Sequence, residues 1–287
     1  MTITEHLINA AERLNKSGVP ESRREASSLL SFVLNENKAF LIAHSEYTLT
    51  TDEAAAFDSV VHRREMREPY QYIVGSREFY GLDFEVIPGV LIPRPETEIL
   101  VEAATALLAE IKDAKFYEIG VGTGCISISI LINVPDATAI GVDISVTALD
   151  LSKRNAERHY TAERLKIYRA SIYEDLDETF DLIVSNPPYI PETELGDLQP
   201  EVGLYEPHTA LFAGADGLDI VRLIVAGASR FLKPEGFILI EIGFGQAESV
   251  KEMFDREVWT DVEFLPDHQG IARIAKARFS PKRSGTG

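Results

Sequence analysis

Phe116-Tyr117-Glu118-Ile119-Gly120-Val121-Gly122-Thr123-Gly124 is the stretch on which the fold of this chain turns. The first four residues suit a buried strand, and the apolar run from Cys125 onward suits a helix. The junction is therefore a strand-to-helix turn carrying a GxGxG pattern. Glycines there allow positive φ and let a ligand approach the backbone closely. The next strand-like run, 138–142, is followed by Asp143, about 19 residues after Gly124. A carboxylate at that place can accept hydrogen bonds from ribose hydroxyls. The expected ligand contains a nucleoside, and the loop residues Gly120, Val121, Gly122, Thr123 and Gly124, with Asp143, are the candidates for binding it.

Outward from this turn, helix and strand signals alternate. A helix runs to about Ile111, one starts at Thr123, and others cover 146–159 and 218–232. Strands are expected over 116–119, 138–142, 165–168, 180–184 and 236–242. That rhythm implies a doubly wound α/β sheet. The runs 261–265 and 271–277 are separated by only Pro266-Asp267-His268-Gln269-Gly270, too short for a crossover helix. The last of the seven strands is therefore expected to be antiparallel. Before residue 75 the spacing is helical, with Leu7, Ile8, Ala11 and Leu14, then Ala26, Leu29, Leu30 and Val33. Ser45 and Thr51 are placed as helix caps, and Pro69 as the end of the last helix. Between the two regions, the alternation over 79–86 and the return through Val90-Leu91-Ile92 around Pro88-Gly89 suggest a β-hairpin. The expected organisation is a helical domain over 1–74, a hairpin linker over 75–93, an α/β domain over 94–279 and a disordered tail over 280–287.

Two features distinguish the nucleoside ligand. Cys125 stands where a dinucleotide fingerprint has its third glycine, and Glu118 just ahead of the turn would repel a pyrophosphate but face a cation. With an antiparallel final strand, the sheet resembles that of the class I methyltransferases, and the expected cofactor is S-adenosyl-L-methionine.

The reactive group is sought where strand 180–184 runs into Ser185-Asn186-Pro187-Pro188-Tyr189-Ile190. An amide nitrogen is weakly nucleophilic because its lone pair is delocalised, so geometry must substitute for basicity. The Asn186 side-chain oxygen and the Pro187 carbonyl can each accept one N–H, which orients the nitrogen toward a sulfonium methyl. Tyr189 can stack on the planar group, and Pro188 stiffens the segment. Asn186 and Pro187 are the candidate catalytic residues, and Asn186, Pro187, Pro188 and Tyr189 the candidate substrate site. The six histidines are scattered, with His208 and His268 given a structural or solvent-exposed role, and no metal site is expected.

Composition narrows the substrate. With 287 residues and 45% hydrophobic content, the chain can bury one large domain and one smaller one. The net charge of −18 disfavours a phosphate backbone as partner. Arg63, Arg64 and Arg67 cluster, but Glu65 and Glu68 interleave with them, which reads as a solvated helix face. The single cysteine excludes an intramolecular disulfide. There is no membrane-length apolar run, and the start, Met1-Thr2-Ile3-Thr4-Glu5-His6, lacks a signal-peptide pattern, so a cytoplasmic protein is expected.

These residues resemble the release factor glutamine N5-methyltransferases over nearly the whole chain. The resemblance is carried by Phe79-Tyr80-Gly81, by Leu91-Ile92-Pro93-Arg94-Pro95-Glu96-Thr97-Glu98, by the glycine loop, and by Asp143-Ile144-Ser145 with Asn155. Asn186-Pro187-Pro188-Tyr189-Ile190, Tyr205-Glu206-Pro207, Asp216-Gly217-Leu218 and Glu241-Ile242-Gly243 with Gln246 complete it. It implies methylation of the glutamine side chain in the Gly-Gly-Gln motif of peptide chain release factors, docked by the helical domain, with the glycine loop and Asp143 on the cofactor and Asn186 near both ligands. A monomer is expected. Two positions depart from the pattern: Ala170-Ser171-Ile172 replaces the usual Ser-Asp pair near the adenine, leaving Ile172 to cover the ring, and Glu118 replaces Asp. The alternatives are an amino-methyltransferase acting on a nucleobase, which presents a similar planar NH₂, and a non-catalytic nucleoside-binding protein.

Overall fold

The computed structural model describes residues 1–280, which form two compact units. The expected tail lies, beyond Ser280, outside the described residues. The first unit comprises Met1–Ser76 together with Gln199–Tyr205. Its helices are α1 (Ile3–Lys16), α2 (Ser22–Leu34), α3 (Lys38–Ala43), α4 (Thr51–Glu65) and α5 (Tyr70–Val74). Leu14, Leu29, Leu30, Phe57 and Val61 are buried at helical spacing and make its core. The caps differ from the sequence reading by small steps. Thr50, one residue before Thr51, closes a capping box with Glu53, and Thr2 does the same with Glu5. Pro69 precedes α5 and so opens a helix where it was expected to close one, which suits its fixed φ.

The arginine cluster is not a solvated face. Arg64 is only 3% exposed; its guanidinium meets the Glu25 and Glu201 carboxylates, and Arg67 also holds Glu201. Glu201 lies on a helix that interrupts the α/β region in the chain yet belongs to this unit. The interleaved charges have internal partners that one helix viewed alone cannot reveal.

The second unit starts at Arg77, within a hairpin of β1 (Ser76–Phe79) and β2 (Leu82–Glu85). Its turn is Tyr80-Gly81, with φ of 52° and 74°, a left-handed pair that matches strand twist. Residues 90–92 form no strand, so the return expected around Pro88-Gly89 is absent. There follow α6 (Glu98–Leu108), β3 (Lys115–Ile119), α7 (Cys125–Asn133), β4 (Thr138–Asp143), α8 (Val146–Arg158), β5 (Leu165–Arg169) and β6 (Phe180–Ser185). Helix α9 (Pro200–Tyr205) carries Glu201 in the first unit. The chain then returns to α10 (Asp219–Ala228), β7 (Leu232–Glu241), α11 (Ala247–Lys251), β8 (Trp259–Pro266) and β9 (Ala272–Phe279).

The seven-stranded sheet has the order β5-β4-β3-β6-β7-β9-β8, and β9, last in the chain, runs antiparallel to both neighbours. Alternation distributes its side chains over two cores. Phe116, Leu182 and Val184 join α6 and α7 on one face, while Tyr117, Ile119 and Ile183 join α10 on the other. Every residue of β6 is buried, as a central parallel strand covered on both faces requires. The path leaves β3 toward β5 and resumes at β6 on the other side, so the carboxyl ends of β3 and β6 adjoin at a topological switch point. No helix among the described residues is long and apolar enough to cross a membrane.

Candidate active site

A cavity of about 200 Å³ opens at that switch point. Its wall includes Gly120, Val121, Gly122 and Thr123 after β3, Asp143 after β4, Ala170, Ser171 and Ile172 after β5, and Asn186, Pro187 and Pro188 after β6. Gly124 is not part of the wall. It precedes α7 at φ 82°, and a Cβ there would come within 2.9 Å of Ile128 and 3.3 Å of Ser152, so this glycine serves the turn and its packing.

The backbone braces the loop from two sides. The Gly120 and Val121 N–H groups donate to the Val142 carbonyl at 2.9 Å, and the Gly122 N–H donates to Asp143 Oδ2 at 3.0 Å. Asp143 Oδ1 accepts from the Ser145 N–H at 2.9 Å. Burial raises the Asp143 pKa from its ordinary value, opposed by these backbone donors. Asn155, fully buried on α8, exchanges hydrogen bonds with the Glu85 backbone and donates to the Thr123 carbonyl at 2.9 Å, tying the loop to β2. On the opposite wall Ile172 has φ 48°, a strained conformation for a β-branched residue, and its carbonyl accepts the Tyr117 hydroxyl at 2.5 Å.

Glu118 is fully buried beneath the glycine loop and borders the cavity. Its Oε2 accepts the Ser127 N–H and hydroxyl, whereas Oε1 has no partner. Burial pushes its pKa up to about 8. An unpartnered buried carboxylate oxygen at a cavity wall is a receptor for a cation or hydrogen-bond donor. Cys125 is also at the wall, but burial pushes its thiol up to about 12, which leaves it without nucleophilic character.

Asn186 leaves β6 beside the glycine loop, and a Cβ on Gly120 would stand 4.0 Å from its carbonyl oxygen. Its Nδ2 donates to Thr97 Oγ1 at 3.0 Å. Tyr189 is separated from Asn186, Pro187 and Pro188: it lines a second depression with Ile190, Leu218 and Phe244. Its hydroxyl donates to Glu241 Oε1 at 3.2 Å, and burial together with that carboxylate raises the phenol pKa. The Tyr189 carbonyl accepts from Gln246 Nε2 at 2.9 Å, and a Cβ on Gly217 would come within 2.1 Å of the same oxygen. Glycine at 217 is therefore required by the closeness of this segment.

Sequence reasoning named no role for Thr97, Asn155, Glu241 or Gln246, although each stands in a segment that carries the family resemblance. Residues 97, 186 and 241 are far apart in the chain and meet only at the end of the sheet. Arg94, also at the cavity wall, pairs with Glu206 at 2.7 Å, and Glu206 is 4% exposed. Taken together, the arrangement is a cavity with an unpartnered buried carboxylate oxygen at its wall and, beside it, an asparagine followed by two prolines.

The PrmC N-terminal domain model matches residues 5–75, and the methyltransferase small domain model matches residues 96–197. A release factor glutamine methyltransferase of Geobacter sulfurreducens is 46% identical over 93% of this chain and 93% of its own length. Another, from Koribacter versatilis, is 38% identical over 97% of this chain and 99% of its own. A 16S rRNA N2 G1207 methyltransferase from T. thermophilus, solved with AdoMet and guanosine, has a TM-score of 0.51 at 19% identity. That match covers 72% of this chain and 50% of that one, and it is a likeness of fold.

Proposed function

The chain belongs to the release factor glutamine methyltransferase family, and on that premise we propose that it methylates N5 of the glutamine side chain in the Gly-Gly-Gln motif of peptide chain release factors, using S-adenosyl-L-methionine. The observation that carries this reading is the position of Asn186 at the end of β6, directly beside the glycine loop of the cofactor cavity. The residues present fit the cofactor. The unpartnered Glu118 Oε1 suits the cationic methionine end, Asp143 suits the ribose, and Ile172 offers an apolar surface to the adenine. When bound, the cofactor supplies an electrophilic methyl group on a sulfonium.

The chain's own residues then do the positioning. The Asn186 Oδ1 accepts one N–H of the glutamine amide and the Pro187 carbonyl accepts the other, which turns the nitrogen lone pair toward the methyl position. Alignment of bound reactants contributes on the order of 7–11 kcal/mol to lowering such a barrier. The methylated nitrogen is acidic enough to lose a proton to water, so no dedicated base is required. Tyr189, in its observed position, supports the segment through its hydroxyl on Glu241 and lines a depression apart from the cofactor cavity. The helices of the first unit dock the release factor.

The test is to incubate the protein with methyl-labelled cofactor and either an intact release factor or purified RNA, then map the label. Label on the glutamine of the Gly-Gly-Gln peptide is the expected result. Label on RNA with none on the release factor would replace this reading with a nucleobase substrate.

A further inference from the structure

The two prolines of the reactive segment leave the direction of one proposed acceptor, the Pro187 carbonyl, to its surroundings. Each ring fixes φ, and a following proline narrows the preceding residue, so the carbonyl points where the held ends of the segment aim it. Upstream, Ser185 is paired with Ile119 and Ile240 in the sheet, and its hydroxyl donates to the Ile119 carbonyl at 2.8 Å. Downstream, the Tyr189 carbonyl accepts from Gln246 Nε2 at 2.9 Å, and the Ile190 N–H donates to the Leu211 carbonyl at 2.9 Å.

Gln246 joins three segments with one side chain. Its Oε1 accepts the Gly243 N–H at 2.7 Å, just after β7, and its Nε2 donates to Tyr189 and, at 3.3 Å, to the Asp216 carbonyl ahead of α10. A backbone N–H only donates and a carbonyl only accepts, so a single orientation of this amide satisfies all three. Glycine makes the room. A Cβ on Gly243 would stand 2.9 Å from Gln246 Oε1 and 3.2 Å from the Tyr189 ring, and one on Gly217 would stand 3.0 Å from Gln246 Nε2. Gln246 is not part of the cofactor cavity wall.

We propose that Gln246 is a positioning residue for methyl transfer: by holding the Tyr189 carbonyl it fixes the far end of Pro187-Pro188, and with it the direction of the Pro187 carbonyl. This rests on the proposed role of that carbonyl as acceptor of a substrate N–H. Because Gln246 stands outside the cofactor cavity, its loss acts on the alignment of the substrate nitrogen and leaves cofactor binding intact.

Four forms of the full chain test this: Gln246→Met, Gln246→Glu, Gly243→Ala, and Gly243→Ala combined with Gln246→Met. Methionine keeps the length and removes both hydrogen-bonding ends. Glutamate keeps the acceptor for Gly243 and sets an oxygen against the Tyr189 carbonyl. Alanine at 243 crowds the Gln246 amide without removing it, at a residue whose φ lies outside the left-handed region. The expected result is a fall in kcat of about tenfold in each single variant, since a misplacement of about 1 Å costs up to about 10²-fold. Cofactor affinity by calorimetry and KM for the release factor should remain near wild type. The double variant should lose no more than the weaker single variant, because both changes break one contact. Cofactor affinity also reports folding, so a variant that fails to fold is recognised and the others decide. An activity-independent readout is a crystal structure of Gln246→Met beside wild type, in which the Pro187 carbonyl is expected to turn or the backbone of 187–189 to gain mobility. Wild-type kcat in Gln246→Met, near-normal kcat in Gln246→Glu, or losses that multiply in the double variant would overturn the proposal. So would a loss of kcat matched by an equal loss of cofactor affinity, or a Pro187 carbonyl that neither turns nor loosens. If wild type transfers no methyl to a release factor, the substrate reading fails by itself, and the crystal structures still decide what Gln246 holds.

Discussion

Glu118 and Asn186 face the same cavity with opposite requirements. Glu118 is pushed up to about 8, so in the ligand-free protein it is largely protonated at neutral pH. A raised carboxylate pKa stabilises the fold fully below its ordinary value of 4.5, and that contribution is lost as pH rises through about 8. A cationic cofactor arm beside Oε1 favours the ionised form, so binding near neutral pH should expel a proton. Calorimetry in buffers of different ionisation enthalpy is expected to show release of close to one proton by wild type and clearly less by Glu118→Gln. Equal release would remove Glu118 from the cofactor site. For Asn186→Ala the expectation is different: cofactor affinity is retained, while turnover on the release factor falls by about 10²–10³, the usual cost of losing one oriented hydrogen-bonding partner. Near-normal turnover would end the role assigned to it. Both residues stood out in the sequence through their neighbours, the glycines after one and the prolines after the other. Thr97, which accepts from Asn186 Nδ2, did not, because a residue that only contacts another site residue has no local pattern of its own.

Among the elements, the turn between β3 and α7 was readable because glycine has a conformational signature. The structure divides its glycines by task, with Gly120 and Gly122 at the cavity and Gly124 under the helix. Gly124→Ala is therefore expected to lower stability by about 1–3 kcal/mol, through a left-handed φ and a Cβ crowded by Ile128 and Ser152. Thermal melting checks this, and an unchanged midpoint would show that the loop adjusts freely. The hairpin was less readable. Tyr80-Gly81 forms the turn, whereas the more conspicuous Pro88-Gly89 does not, because tyrosine gives little warning of a positive φ. Helix α9 was not anticipated at all. Its Glu201 binds Arg64 and Arg67, and Arg64→Ala should destabilise the first unit by about 1–3 kcal/mol by leaving the half-buried Glu25 without its guanidinium partner while Arg67 still holds Glu201. Chemical denaturation measures the loss, and a change below about 1 kcal/mol would mean the pairs are solvated.

At the scale of the whole molecule, the doubly wound sheet and its antiparallel last strand followed from periodicity and from a five-residue connection too short to cross over, whereas the order of the strands comes from the structure. The division into units was less accessible, since Gln199–Tyr205 returns to the amino-terminal unit after most of the sheet has been built. Deleting residues 1–74 thus removes the proposed docking helices and also the arginines that hold α9. Cofactor affinity is expected to persist in the truncated protein and methylation of an intact release factor to be lost; turnover that survives would refute the docking role. The central claim is narrower than any of these: the amide nitrogen of the substrate glutamine is held by Asn186 and Pro187. The most direct measurement is a structure of the protein with a release factor and the demethylated cofactor product. The account predicts the glutamine amide nitrogen within hydrogen-bond distance of both Asn186 Oδ1 and the Pro187 carbonyl. A glutamine bound elsewhere, or facing the Asn186 NH₂, would contradict it.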